Sequence, residues 1–313
     1  MRVIEDVRET QETFPNLVLT IGSFDGVHLG HQRIVSELRR TARAIKGTAA
    51  LMTLQPHPRQ FFSPESAPNI LTPLKKKAAL LEALGLDVFY VLPFNAETAG
   101  LTPETFLREI IAKKCQARVL VVGHDFAFGR GARGDFDFLQ AAAPQYGIEV
   151  RQVPALIVQG ERVGSTAIRE RILQGELEKA EELLGRKYSI LGNVVRGRGV
   201  GGAHLGFPTA NVKPHNNAVP AHGVYVAEVV VDGLSHPSAV NIGIAPTIRQ
   251  DDVTIEAYIL DFHQDIADRE IEVVFHNRLR PEKKFDSLGS LIKAIGEDVQ
   301  AVRRYFAEKN PAS

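Results

Sequence analysis

The sequence predicts an α/β unit with a largely parallel sheet in the first half of the chain and a small all-β barrel, closed by a terminal helix, in the second. Three observations carry this. Short apolar runs alternate with amphipathic stretches as far as Leu184, the pattern of strands and helices wound into one sheet. Beyond Tyr188 the pattern changes to β-type segments punctuated by Gly and Pro, at the spacing of a small barrel or sandwich. The chain then closes on apolar residues repeated at helical spacing.

Taken in order, Leu17 to Ile21 reads as a buried strand and Gly30 to Ile45 as the helix that follows it. Further strands are expected at Ala49 to Leu54, Val88 to Leu92, Val119 to Val122 and Ile148 to Val153. Helices are expected near Leu74 to Leu84, Thr105 to Ala112 and Phe136 to Tyr146, and a short charged one at Glu176 to Leu184. A boundary near Gly185 to Tyr188 divides the chain into domains 1–184 and 185–313. Past it, Ile190 to Arg196, Gly223 to Val231, Ser238 to Ile244, Thr254 to Ile259 and Glu270 to Leu279 read as strands. Leu288, Leu291, Ile292, Ile295, Val299, Val302 and Phe306 form one helical stripe, expected to pack on the barrel.

Composition narrows the function classes. The chain has 313 residues, enough for two apolar cores, and its 37 basic and 37 acidic residues cancel, so no polyanion such as DNA is implied as a partner. One cysteine, Cys115, excludes an internal disulfide and a cysteine-based metal cluster, which fits a reducing cytoplasm. No signal-like stretch and no run long enough to span a bilayer is present, so a soluble, cytoplasmic protein without a membrane partner is expected.

In such sheets ligands bind beyond the carboxyl ends of the strands, and the chemically informative residues fall there. Gly22-Ser23-Phe24-Asp25-Gly26-Val27-His28-Leu29-Gly30-His31 joins the first strand to its helix. A helix that opens after a glycine-rich turn presents unpaired N–H groups and the positive end of its dipole, and His28 and His31 add donors beside that anion site. A Gly-rich turn with two solvated histidines is the competing reading of these two residues alone. Gly164-Ser165-Thr166-Ala167-Ile168-Arg169 is a second polar turn that opens a helix. There Ser165 or Thr166 is placed to cap, and Arg169 lies in the first turn, where a cation calls for a nearby anion. His57, between Pro56 and Pro58, reads equally as a rigid turn or a ligand contact. Asp125, Phe126 and Phe128 lie on a glycine-bracketed loop, where the two rings either pack onto the sheet or face a flat aromatic ligand.

In the second half, Gly199, Gly201 and Gly206 belong to a glycine-rich stretch that leads into Pro208-Thr209-Ala210-Asn211. Alternate residues of an extended segment face the same way, so the oxygens of Thr209 and Asn211 can meet at a hard cation such as Mg²⁺. A polar pair on the wet face of an edge strand is the competing reading. Glu256 is the one carboxylate of its strand, and an ordinary exposed glutamate is the competing reading there. Arg280 and Glu282 are equally explained by a loop ion pair.

The first two motifs resemble the HxGH and ISSTxIR elements of the nucleotidylyltransferase superfamily, whose fold is a Rossmann-like α/β domain. Gly164 stands where a Ser is usual. The proline-flanked His57 and the Gly123-His124-Asp125-Phe126-Ala127-Phe128-Gly129 loop resemble elements of bacterial FAD synthetases. PTAN, Asn241-Ile242-Gly243-Ile244-Ala245-Pro246-Thr247, the Glu256 strand and Leu279-Arg280-Pro281-Glu282-Lys283-Lys284-Phe285 are similar to riboflavin kinase elements, which lie on a small barrel. The chain is thus identified as a member of the bacterial bifunctional riboflavin kinase and FAD synthetase family. It departs from the usual pattern at Ala203, His204 and Ile266-Ala267-Asp268.

The resemblance implies two ATP-dependent reactions. In the first domain FMN is adenylylated to FAD, with catalysis by His28 and His31 and no side-chain nucleophile. ATP would be bound by Gly22, Phe24, Asp25, Gly30, Ser165, Thr166 and Arg169, and flavin by His57, Asp125, Phe126 and Phe128. In the second domain riboflavin is phosphorylated to FMN, with Glu256 as base. Gly199, Gly201, Gly206, Thr209, Asn211 and Arg280 would bind ATP and flavin there, and Thr209 and Asn211 would hold Mg²⁺. Riboflavin, FMN, FAD and ATP are then the small-molecule partners, and a monomer or a weakly self-associating chain is expected. A single-activity nucleotidylyltransferase with a non-catalytic barrel, and a flavin-binding protein without turnover, are the two alternatives.

Overall fold

The apolar runs of the first half assemble as strands of one sheet in the computed structural model, which describes residues 1–196, 206–244 and 253–309. The strands are β1 (Arg2–Ile4), β2 (Leu17–Ile21), β3 (Ala49–Gln55), β4 (Val88–Pro93), β5 (Ala117–Gly123) and β6 (Glu149–Val153). They lie in the order β1-β4-β3-β2-β5-β6, and all neighbours are parallel. The edge strand β1 is an addition to the expected set, as is a separate antiparallel pair, β7 (Ile157–Val158) with β8 (Glu161–Arg162). Every residue of β2 is buried, because helices cover both faces of the sheet. Leu17, Leu19 and Ile21 point into one core with Phe106, Leu107 and Ile110, while Val18 points into the other with Val35 and Leu38.

The helices of this part are α1 (Leu29–Ala44), α2 (Pro58–Phe62), α3 (Leu74–Ala83), α4 (Ala96–Gly100), α5 (Pro103–Thr105) and α6 (Phe136–Ala142). The expected helix near Thr105 to Ala112 takes the form of α5 running into a π-helical stretch, Phe106–Lys114. Strand order reverses beside β2, whose chain continues to β3 on one side while β5 lies on the other. In an open parallel sheet that reversal leaves a crevice outside the carboxyl ends of the strands.

Two compact units are formed, Met1–Pro68 with Leu74–Gly164, and Asn69–Pro73 with Ser165–Ser313. In the second, α7 (Ser165–Gln174) and α8 (Leu177–Leu184) precede a closed antiparallel barrel. Its strands are β9 (Ser189–Val195), β10 (Ala210–Pro214), β11 (Gly223–Val231), β12 (Leu234–Ile244), β13 (Val253–Ile259) and β14 (Glu270–Pro281), in the order β10-β13-β12-β11-β14-β9. Tyr225, Val240, Ile242, Ile255, Ala257, Val273 and Phe275 are almost fully buried, and their partners along each strand face outward. The segment Asn69–Pro73 is strapped to this unit: Ala218 N–H donates to Ile70 O at 3.2 Å, and Asn216 Nδ2 donates to Leu71 O at 3.2 Å.

The last helix, α9 (Leu288–Lys309), covers part of the outer barrel wall. Ile295, Val299, Val302 and Phe306 pack against Val226, Ala239 and Tyr258. Leu288 and Ile292 do not: they are 63% and 38% exposed, so the first turns of the expected stripe stand clear of the barrel.

Candidate active sites

The turn between β2 and α1 places two imidazoles at the crevice. His28 is extended and caps α1, its Nδ1 accepting the His31 backbone N–H at 3.2 Å. That acceptor role puts the proton of a neutral His28 on Nε2. The His28 and His31 rings stack with centroids 3.5 Å apart, and the Phe24 ring lies 4.6 Å from His31 on a buried side chain. Two glycines make room for this packing. A Cβ on Gly30 would stand 3.1 Å from the His28 ring, and one on Gly22 would stand 3.1 Å from the Phe24 ring. Asp25 is buried in the same turn. The arrangement offers imidazole donors and helix N–H groups to an anion.

Loops from the flanking strands border the same crevice. After β3, His57 caps α2 through its Nδ1, which accepts the Arg59 N–H at 3.2 Å, while the His57 N–H donates to Gln60 Oε1 at 3.1 Å. The rigid turn and the ligand contact are therefore compatible. The peptide before Pro56 is cis. Beside it Phe61, Phe62 and Phe94 form an edge-to-face cluster with centroids 5.3–5.6 Å apart, and Phe62 is 62% exposed. Sequence reasoning passed over Phe61 and Phe62, although consecutive phenylalanines after a proline-bound turn were a visible signal.

After β5 the two phenylalanines separate in role. Phe128 is buried in the core between Phe106 and Phe138, so it packs onto the sheet, while Phe126 is half-buried and stacks on it at 5.4 Å. Asp125 is exposed and pairs with Arg162 at 2.7 Å. Phe128→Ala is expected to destabilise the fold by about 3–5 kcal/mol, the range for emptying a buried aromatic site. A urea titration followed by circular dichroism checks this.

Another residue the sequence did not single out lies below the histidine turn. Lys77 of α3 is 6% exposed and donates from Nζ to the Ser23 carbonyl at 2.6 Å. Burial pulls its pKa down to about 8, opposed by the negative charge of Asp25.

In the second unit, α7 begins at Ser165, which with Thr166 forms the start of the helix. Thr166 is exposed, and Arg169 donates from Nε to Asn69 O at 2.6 Å. Ile168 and Ile172 anchor the opposite face of the helix.

The barrel builds its candidate site on the outer wall beside α9. Asn211 of β10 pairs in register with Glu256 of β13, and Glu256 pairs with Asn241 of β12. The same row continues through Val224 to Arg280. Directly opposed residues share a face, so one carboxylate is flanked by two amides. Burial raises the Glu256 carboxyl pKa above its ordinary value. Because the barrel is closed, β10 is no edge strand, and Asn211 is half-buried rather than on a wet face. Thr209 immediately precedes the strand, two residues from Asn211, and Phe207 packs edge-on against Tyr258 at 5.3 Å.

Arg280 is held by α9. Its Nε and Nη2 donate to the two oxygens of the buried Asp298 carboxylate at 3.0 and 2.7 Å, so the expected loop ion pair is a bidentate tie to the terminal helix. Gly206 is left-handed, at φ 79°. Gly199, Gly201, Ala203, His204 and the Ala245 to Thr247 part of the NIG motif lie outside the described residues. Asn241 is the barrel residue that sequence reasoning left without a role.

Comparison with known proteins places both halves. A family model for FAD synthetase matches residues 10–167, and one for riboflavin kinase matches residues 184–306. The chain is 39% identical to the bifunctional riboflavin kinase/FMN adenylyltransferase of Pseudomonas fluorescens, covering 98% of both chains. It is 35% identical to the protein of the same name from Escherichia coli strain K12, covering 100% of both. Among solved structures, one described as a macrolide-efflux protein from Streptococcus pneumoniae superposes with a TM-score of 0.84 at 28% identity, covering 97% of this chain and 99% of that one. No helix among the described residues here is long and apolar enough to cross a membrane.

Proposed function

The chain belongs to the bifunctional riboflavin kinase/FMN adenylyltransferase family, and from that premise we propose how its residues divide the two reactions. It phosphorylates riboflavin to FMN with ATP, and it adenylylates FMN to FAD with ATP, releasing pyrophosphate. We assign adenylylation to residues 1–184 and phosphorylation to residues 185–313.

In adenylylation a phosphate oxygen of FMN attacks the α-phosphorus of ATP, and the bond to pyrophosphate breaks. No side chain need form a covalent bond; what the protein supplies is position and charge. His28, His31 and the N–H groups of α1 face the developing phosphoryl charge. Gly22, Phe24, Asp25 and Gly30 shape the nucleotide pocket, and Ser165, Thr166 and Arg169 are assigned to ATP by the family resemblance of their motif alone. His57, Asp125 and Phe126 border the flavin, joined by Phe61, Phe62 and Phe94 as an aromatic platform; Phe128 supports that floor from the core.

In phosphorylation Glu256 takes the proton of the ribityl 5′-hydroxyl as its oxygen attacks the γ-phosphorus and ADP leaves. The observation that carries this assignment is the registered row Asn211, Glu256, Asn241, in which burial keeps the carboxyl more basic than usual. A more basic carboxylate is a better proton acceptor for an alcohol. Asn211, Asn241 and Thr209 then orient phosphates or hydroxyls, Gly199, Gly201 and Gly206 let backbone approach the nucleotide, and Arg280 positions α9 over the site.

The Thr209 hydroxyl and Asn211 amide are oxygen donors that suit Mg²⁺, and no group of three or more His, Cys, Asp or Glu among the described residues forms a dedicated metal cage. Bound with ATP, Mg²⁺ would neutralise phosphate charge. We place these reactions in the cytoplasm, where Cys115, buried and with its thiol pKa pushed up to about 12, stays reduced and inert. Small molecules are the assigned partners, nucleic acid is not, and a monomeric or weakly associating chain is assigned.

The test is product analysis: the chain with ATP, Mg²⁺ and riboflavin yields FMN and FAD, and with FMN yields FAD. FAD formation from FMN without any phosphorylation of riboflavin would support a non-catalytic barrel instead. A pH profile adds a second check. Glu256 must be ionised to accept a proton, so FMN formation falls as pH drops through its pKa. Since burial raises that pKa, the acid limb is expected above the ordinary value of 4.5.

A further inference from the structure

Beneath the histidine turn lies a buried cation with no part in the chemistry above. The Ser23 carbonyl receives two donors, Lys77 Nζ at 2.6 Å and Thr53 Oγ1 at 3.2 Å. Lys77 Nζ also lies 3.4 Å from the Thr53 oxygen, so α3, β3 and the turn meet at one polar knot. Thr53 and Lys77 are 0% and 6% exposed, and the charge of Asp25, 2% exposed, opposes the desolvation of the ammonium.

What the knot holds is a strained turn. Phe24, Gly26 and Val27 all have left-handed backbones, with φ of 47°, 89° and 42°. A branched residue such as Val27 rarely adopts that conformation, and it persists where surrounding contacts over-determine it. Here the Phe24 and Val27 side chains are buried, Gln32 Nε2 donates to Val27 O at 3.0 Å, and Lys77 and Thr53 clamp the turn at Ser23. His28 is the next residue along the chain, so the direction in which the turn exits sets where the stacked histidines stand. An apolar side chain of similar length would fill the space without desolvating an ammonium. It would supply neither the donor to Ser23 nor the countercharge to Asp25.

We propose that Lys77 is a positioning residue for adenylyl transfer, its ammonium fastening the strained Ser23–Val27 turn to β3 and α3 so that His28 and His31 meet the reacting phosphate. The proposal rests on the assignment of adenylylation to those histidines. It predicts a loss in turnover rather than in nucleotide affinity, because displacement of the donors weakens the transition state more than ground-state binding.

The test uses the full chain, in which the KM for ATP in FAD formation reports that the first unit is folded and FMN formation reports the second. Lys77→Met is expected to lower kcat for FAD formation about 10- to 100-fold, with KM for ATP changed by less than about threefold and FMN formation kept within about twofold. Thr53→Val, which leaves every charge in place, is expected to lower the same kcat by about 3- to 10-fold. Wild-type FAD formation by Lys77→Met overturns the proposal, and so does an equal loss of both reactions, which marks a general structural role. If Lys77→Met does not fold, Thr53→Val decides: full FAD formation there overturns the proposal. A wild-type chain that makes no FAD removes the assignment of His28 and His31 itself, and the proposal with it.

Discussion

Glu256→Gln is expected to lower FMN formation from riboflavin by about 10²–10⁴-fold, the range contributed by a positioned general base. The amide keeps the shape of the side chain between Asn211 and Asn241, so the barrel loses a proton acceptor and little packing. The alcohol must then leave its proton to water while it attacks. Because Gln carries no charge at this half-buried position, the substitution also removes the desolvation cost that raises the carboxyl pKa. Stability is therefore expected to hold or rise slightly. Conversion of FMN to FAD should continue near the wild-type rate, since Glu256 belongs to the second unit and the histidine turn to the first. Steady-state assays of both reactions on one preparation, with a thermal melt, check the result. Wild-type kinase turnover in Glu256→Gln would show that the base lies elsewhere.

The reciprocal expectation concerns the histidines. His28→Ala and His31→Ala should each lower FAD formation by about 10²–10³-fold, the scale of removing one preorganised donor from a developing oxyanion, while FMN formation persists. His28→Ala has a second consequence that His31→Ala lacks. The His28 Nδ1 caps α1, and loss of a side-chain cap costs about 0.5–2 kcal/mol. The melting temperature should therefore fall more for His28→Ala than for His31→Ala. Equal losses in melting temperature with unequal losses in rate would detach the cap from the stability of the turn.

The parallel sheet was legible because its central strands are largely apolar: β2, buried at every position, is the clearest case, at Leu17–Ile21. The histidine turn was legible for a related reason, since glycines at 22, 26 and 30 interrupt that pattern just where the strand ends. Less legible was β10, in which Val212 alone is buried, between the polar Asn211 and Lys213. The strap Asn69–Pro73 left no trace, because its bonds to the second unit run through main-chain groups that any sequence possesses.

Side-chain roles were harder still. Phe126 and Phe128 are alike in sequence, yet backbone geometry sends Phe128 into the core and leaves Phe126 half-buried. Lys77 looks like one of three exposed lysines at the start of α3; its burial depends on a turn more than 50 residues upstream in the chain, whose carbonyl it meets at a separation of 54 residues. Leu288 and Ile292 continue the helical stripe of α9, yet both are exposed. Local pattern therefore located the strands and the reactive turns. Non-local contacts decided which side chains face them.

Two triphosphate reactions at different phosphorus atoms, run by separate sites, form the centre of the account. Supplying riboflavin with ATP labelled at either the α- or the γ-phosphorus tests it most directly. γ-Label is expected in FMN and in the flavin half of FAD, and α-label, among the flavins, in FAD alone. In His28→Ala the α-label should vanish from flavin while γ-labelled FMN accumulates. Riboflavin that acquires no γ-label, or α-label that still enters FAD at the wild-type rate in His28→Ala, would contradict it.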